Sequence, residues 1–170
     1  AGLGDNSPLR NKVDYQSYLD RIAQYPKYND EALKITQMAV DQGQVLPCEV
    51  LGNSAKGIIG VVKDDPTQSR FYSPFLKAKP ADVSPAEWTA MQTRAKTLIT
   101  GSINPAYKKH HDFFTNVYLK KCAKSPAITA LPGGKDYYAF RIRQETTTDL
   151  SADQIHQIGI DEVKRIRGEM

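Results

Sequence analysis

Residues 84–122 read SPAEWTAMQTRAKTLITGSINPAYKKHHDFFTNVYLKKC, and this stretch decides the fold class. Ser84 is a strong N-cap residue, Pro85 suits a first helical turn, and Glu87 completes a capping box. Trp88, Met91, Ala95, Leu98 and Ser102 then recur at the three-to-four spacing of one helical face. Asn104-Pro105 predicts a kink or a brief break, after which Tyr107, Phe114, Val117 and Tyr118 carry the helix to about Cys122. Lys120, Lys121 and Lys124 fall in or just past the last turn, where cations suit the helix dipole. The stretch reads as one long, proline-kinked helix.

The same periodicity extends in both directions. Tyr15, Tyr18, Leu19 and Ile22 fall on one face of a helix that Pro26 is expected to limit. Tyr28, Ala32, Ile35 and Ala39 form the next stripe, closed by Gly43, and Leu51, Ala55, Ile58 and Val62 a third. Residues 63–83 hold Pro66, Pro74 and Pro80, which forbid a continuous helix; Phe71, Tyr72 and Phe75 are expected to pin this connector to the core. After a loop through Leu131-Pro132-Gly133-Gly134, a helix over about 135–145 carries Tyr137, Tyr138, Phe140 and Ile142. Thr146-Thr147-Thr148 interrupts it, because β-branched threonines in series disfavour helix. Ser151-Ala152-Asp153-Gln154 is a second capping box that opens the last helix. The expected fold is therefore all-α: a multi-helix array of about six or seven helices, with residues 1–12 a flexible segment and 13–170 one helical domain. The last stripe, Ile155, Ile158, Val163 and Ile166, reaches Met170 without a Gly cap, a Pro or a polar tail. That helix is expected to be truncated, leaving an apolar patch that packs on a neighbouring chain or is poorly ordered.

Composition narrows the function classes. The chain has 170 residues, enough to bury a core, with 40% hydrophobic and 25% charged residues. The net charge of +4 is small and spread along the chain, so it does not announce a nucleic-acid partner. Lys108, Lys109, Lys120, Lys121 and Lys124 are read as a solvated face. No apolar run reaches the length of a membrane span. Two cysteines exclude a disulfide-dense mini-domain and a Cys-based zinc finger. Cys48 and Cys122 are read equally as two buried thiols or as one bridge, worth on the order of 4 kcal/mol through the loop it closes.

Few residues point to chemistry. His110 and His111 are adjacent, so on a helix they point about 100° apart and cannot grip one ion together; Asp112 meets the same objection. Gly133-Gly134-Lys135 lacks the spacing of a phosphate-binding loop, and Asp136 stands where Ser or Thr is needed. The one polar–aromatic cluster that looks arranged is Tyr137, Tyr138, Thr146, Thr147, Thr148 and His156, at the junction of the last two helices. Threonines that cap and tyrosines that pack explain it equally well. No catalytic, cofactor or metal-ligating set is assigned within the chain.

Several motifs nevertheless resemble a known family in order. They are Leu131-Pro132-Gly133-Gly134-Lys135-Asp136-Tyr137-Tyr138-Ala139, Thr146 to Ser151, Ile155-His156-Gln157-Ile158-Gly159 and Glu162 to Ile166. Upstream, Asp14 to Arg21, Phe71-Tyr72-Ser73-Pro74-Phe75 and Ile103-Asn104-Pro105-Ala106-Tyr107 fit as well. Over residues 8–170 the chain closely resembles the bacterial family called domain of unknown function 885. The resemblance implies a largely helical protein of several hundred residues, exported to the envelope or periplasm and in many cases lipid-anchored. It also implies a zinc-peptidase-like hydrolase whose His-Glu-x-x-x-Gly-His-His helix lies in a C-terminal half that this sequence lacks. The chain itself is then an inactive N-terminal portion with no cofactor of its own, zinc belonging to the intact protein. Its partner is that missing half, or a second copy docked through the last helix. The Thr146–Thr148 and His156 region would approach the substrate cleft, and an oxidising envelope favours the Cys48–Cys122 bridge. The alternative is a stand-alone helical binding or interaction module that shares ancestry with the hydrolases and not their chemistry.

Overall fold

In the computed structural model, which describes residues 7–170, Asn11 caps α1 (Lys12–Asp41) by accepting a hydrogen bond from the Asp14 N–H at 2.9 Å. Of the segment expected to be flexible, residues 1–12, the first six lie outside the described residues. Its described end is fastened: Leu9 packs on the core, and Arg10 pairs with Asp14 at 3.0 Å. Tyr15, Tyr18, Leu19 and Ile22 are almost completely buried.

Pro26 does not end this helix; it lies inside it. Proline removes the N–H that would bond the Ile22 carbonyl, yet tertiary contacts hold the rod on both sides of the gap. Before it sits the fully buried Ile22, and after it the buried Asn29 and Leu33. The second stripe also needs correction. Tyr28 and Ile35 are 66% and 68% exposed, and the buried positions are Asn29, Leu33 and Val40, one residue further on. One residue is about 100° around a helix, enough to turn a face from the core to the outside.

The third stripe is shorter than expected. A 3-10 turn at Cys48–Leu51 precedes α2 (Ser54–Ile59), and Leu51 and Val61 are buried in different clusters. Gly52 and Gly60 flank α2, and glycine disfavours helix by about 1 kcal/mol relative to alanine. Residues 63–83 form the expected connector, with short 3-10 turns at Pro66–Gln68 and Ser73–Leu76. Phe71, Tyr72 and Phe75 are buried in the core. The hydroxyls of Tyr15 and Tyr18 reach across from α1 and donate to the carbonyls of Pro74 and Phe71, at 3.1 and 2.9 Å. Tyr15 also sets its ring edge-on to Phe75 and Trp88.

The capping box at Ser84 forms in full: the Glu87 N–H reaches the Ser84 hydroxyl, and the Ser84 N–H reaches the Glu87 carboxylate at 2.9 Å. It opens α3 (Pro85–Leu98), which runs on without interruption into α4 (Asn104–Phe113) and α5 (Leu119–Lys121). Wider π turns join them at Ile99–Ile103 and Phe114–Tyr118. The first lies directly before Pro105, where the carbonyl of Gly101 loses its usual partner, so the ladder is re-spaced where a break was expected. The buried line becomes Met91, Ala95, Ile99 and Ile103. Asn104 locks the joint by exchanging amide hydrogen bonds with the Lys63 backbone.

Among the described residues, two clusters make up the core. The larger joins α1, the connector and α3 through Ile103; the smaller gathers Val40, Val45, Leu51 and Tyr118 against Phe113 and Phe114. Cys48 and Cys122 are joined in a disulfide beside the smaller cluster, their Cα atoms 5.1 Å apart. Pro47 and Ala123 form a single isolated parallel bridge there, and among the described residues there is no β-strand. Beyond it the chain changes character. A 3-10 turn at Ile128–Ala130 leads to α6 (Gly134–Thr146), then Thr147–Ser151 turns into α7 (Ala152–Glu169). Gly133 takes φ +68°, and a Cβ on Gly134 would stand 1.8 Å from the Ile128 carbonyl oxygen, so only glycine fits there. Gln44, three residues past the end of α1, donates to the Pro132 carbonyl at 3.2 Å and ties down the base of this arm. The architecture is all-α, with seven α segments among the described residues and α3 to α5 as one rod.

Candidate functional site

The α6–α7 arm carries the two clefts of interest. The larger, about 610 Å³, has Tyr138, Ile142 and Leu150 in its apolar lining, and Lys135, Arg143, Asp149 and Asp153 as its charged lining. That volume lies in the usual range for small-ligand sites. A second cleft of about 240 Å³ opens between Tyr138, Ile142 and Thr146 on one side and Ala152 and Ile155 on the other. Lys135, Ala139 and Arg143 recur every four residues, which places both cations on one face of α6. Ser151 opens α7 with a second complete capping box: its N–H donates to the Gln154 side chain at 2.8 Å, and its hydroxyl accepts from the Gln154 N–H.

The sequence cluster is placed unevenly. Tyr138 lines both clefts and Thr146 lines the smaller. Tyr137, Thr147, Thr148 and His156 line neither, and all four are exposed. The threonines form a helix C-terminal turn. Thr146 donates to the Ile142 carbonyl at 2.8 Å and sits 3.0 Å from the Thr148 hydroxyl, while the Thr147 N–H reaches the Arg143 carbonyl. Thr147 adopts φ +54°, a left-handed conformation that a β-branched residue resists. Sequence reasoning missed Lys135, Arg143, Asp149 and Asp153; the eight-residue spacing of the two cations, about two helical turns, was the available signal.

A second polar centre is buried between α1 and α4. Asn29, 2% exposed, donates from Nδ2 to the Ala106 carbonyl at 3.2 Å, leaving its Oδ1 to accept from Nδ1 of His110 at 3.2 Å. Burial pushes the His110 imidazole below its ordinary value, favouring the neutral form. His111 lies 3.7 Å from Asp112. Among the described residues, no three His, Cys, Asp or Glu side chains converge as a metal site. In chemical terms the larger cleft combines apolar and charged lining groups, which would suit a ligand that has both kinds of part. No helix of the described residues is long and apolar enough to cross a membrane.

Comparison with known proteins bears on this geometry at two levels. The family described as "Bacterial protein of unknown function (DUF885)" matches residues 1–170. The chain belongs to this family. Among solved structures, a protein from Colwellia psychrerythraea described as a "putative lipoprotein" superposes with a TM-score of 0.77 at 24% identity. The match covers 97% of this chain and 28% of that one, so this family member spans little more than a quarter of its structural neighbour's length. At that identity the likeness is one of fold. No curated protein matches the chain.

Proposed function

We propose that this DUF885 chain is the N-terminal helical portion of a zinc-dependent, peptidase-type hydrolase of the bacterial envelope. The observation that carries the reading is the uncovered arm. No residue of α7 is buried, and α6 buries only Gly134, although Tyr137, Phe140, Ile158, Val163 and Ile166 lie along them. A fold that occupies 28% of a longer neighbour and leaves such faces open is suited to be one wall of a larger molecule. In this reading Tyr138, Lys135 and Arg143 contribute a binding wall. Zinc, held by ligands outside this chain, would polarise a carbonyl and activate water. The description of the neighbour as a lipoprotein supports the envelope location, and the Cys48–Cys122 bridge suits an oxidising compartment.

The test compares the 170-residue chain with the polypeptide extended through the coding sequence that follows Met170. The short chain is expected to bind no stoichiometric zinc and to hydrolyse no peptide. The extended protein is expected to bind zinc one-to-one and to lose hydrolysis on chelation. Tightly held zinc in the short chain, or a stop codon directly after Met170, overturns the proposal.

A further inference from the structure

Gly159 stands in the apolar stripe of α7, four residues after Ile155 and four before Val163, with Ile158 and Ile166 beside it. Those side chains are largely uncovered: Ile158 is 51%, Val163 50% and Ile166 47% exposed. A Cβ built on Gly159 would meet nothing within 4 Å. Glycine inside a helix costs about 1 kcal/mol relative to alanine, and none of the described residues makes use of the vacant position. What a missing side chain on an apolar helical face does permit is the close approach of another backbone. Arg165 pairs with Glu162 at 2.9 Å and with Glu169 at 2.7 Å, so these charges are already matched within α7.

We infer that α7 is a docking rail for one apolar-faced helix supplied by the remainder of the longer polypeptide, crossing α7 at Gly159. The inference rests on the proposed reading only in that a longer polypeptide exists, and not on its hydrolytic chemistry. The remainder is the occupant favoured over a second copy because the matched neighbour carries this same fold with most of its own length outside the match. That additional chain is available to cover the stripe. The helix would bury Ile158, Val163 and Ile166 and seat a bulky side chain over Gly159.

Amide hydrogen exchange across residues 152–169 tests this, measured in the 170-residue chain and in the extended protein. Exchange in the extended protein is expected to be at least about tenfold slower. Gly159→Leu should return α7 to the fast exchange of the short chain. Gly168→Leu is the control, because Gly168 lies about half a turn around the helix from Gly159 and also faces open space. It should leave the protection intact. Both variants are expected to keep the short chain folded, since α7 contributes no buried residue to it. Equal exchange in the short and extended proteins overturns the inference, as does equal loss with the two leucines. A short chain that sediments as a dimer and becomes a monomer with Gly159→Leu overturns it in favour of a second copy. Protected α7 in an extended protein without zinc or hydrolysis would sink the hydrolase and leave the rail; hydrolysis with α7 unprotected would do the reverse.

Discussion

Ser84 and Ser151 open their helices in the same way, Glu87 closing one capping box and Gln154 the other, yet the helices that follow differ in every other respect. The rod that starts at Ser84 buries Met91, Ala95, Ile99 and Ile103 against α1 and the connector. The helix that starts at Ser151 buries nothing. Local sequence therefore specifies both helices equally well, and long-range contacts alone separate the body, residues 7–123, from the arm. The difference teaches where stability resides: a buried stripe is committed to the fold, and an unburied one is left open to a proposed partner.

The largest expected effect lies within the body, at the end from which the arm departs. Replacing Cys48 and Cys122 by Ser removes a link across a sequence separation of 74 residues, and chain entropy sets the loss at about 4 kcal/mol. Urea unfolding of the double variant checks this. The body is expected to lose stability while the helicity of α7 stays unchanged at low urea. A loss below about 1 kcal/mol would mean that the cluster around Val40, Leu51 and Tyr118 holds without the bridge.

Ile103 and Ile166 sharpen the contrast with one residue type. Ile103 is fully buried, and Ile103→Ala should cost about 2–5 kcal/mol through lost transfer and the cavity left behind. Ile166 is 47% exposed, and Ile166→Ala should stay within about 0.5 kcal/mol in the 170-residue chain. Comparable losses at the two sites would show that the arm is part of the cooperative core.

The same contrast explains how much was legible in the sequence. Capping boxes, the proline-rich connector and the aromatic pins are local or strongly patterned, and each sits where its residues predict. The second half of α1 was misjudged by one position because its core face includes a polar residue. Asn29 interrupts the apolar stripe, and only the Ala106 carbonyl and His110, some eighty residues away, make its burial affordable. Pro26 was read as a stop because the contacts that carry the helix through it are tertiary. In the arm, the aromatic and threonine cluster was visible. Its division into Tyr138 and Thr146 at the clefts, and Tyr137, Thr147, Thr148 and His156 away from them, depends on how α6 faces α7. The cations Lys135 and Arg143 escaped notice because neither is unusual until the fold gathers them into one cleft lining with Asp149 and Asp153.

Capping offers a smaller and more discriminating test. Ser84→Ala and Ser151→Ala each remove the same hydroxyl, and each should weaken its own helix by about 1 kcal/mol. For Ser84 that loss should appear in full in global urea unfolding, because α3 is part of the core. For Ser151 global unfolding should barely move, while amide exchange in the first turn of α7 accelerates about fivefold. A global loss for Ser151→Ala equal to that for Ser84→Ala would join the arm to the body.

Acid titration draws the same boundary from the charged groups. Lys12 and the Ser84 backbone and hydroxyl hold the Glu87 carboxylate down to about 2, below the ordinary glutamate value near 4.3. A depressed carboxylate adds stability that is complete above its unfolded value and is lost as pH falls through its folded value, so the Glu87 contribution should fade between about pH 4.3 and 2. His110 acts earlier and through burial: its folded value lies below the ordinary one near 6.5, so the unfolded chain takes up the proton first. Stability should therefore begin to fall as pH drops below about 6.5. Both groups belong to the body. Melting temperature against pH for the wild type, Glu87→Gln and His110→Gln separates them. Glu87→Gln should differ from the wild type most above pH 4.3 and converge with it near pH 2, and His110→Gln should abolish the earlier decline. Exchange in α7 should follow neither window; an α7 that loosens in step with His110 would mean that the arm senses the interior of the body after all.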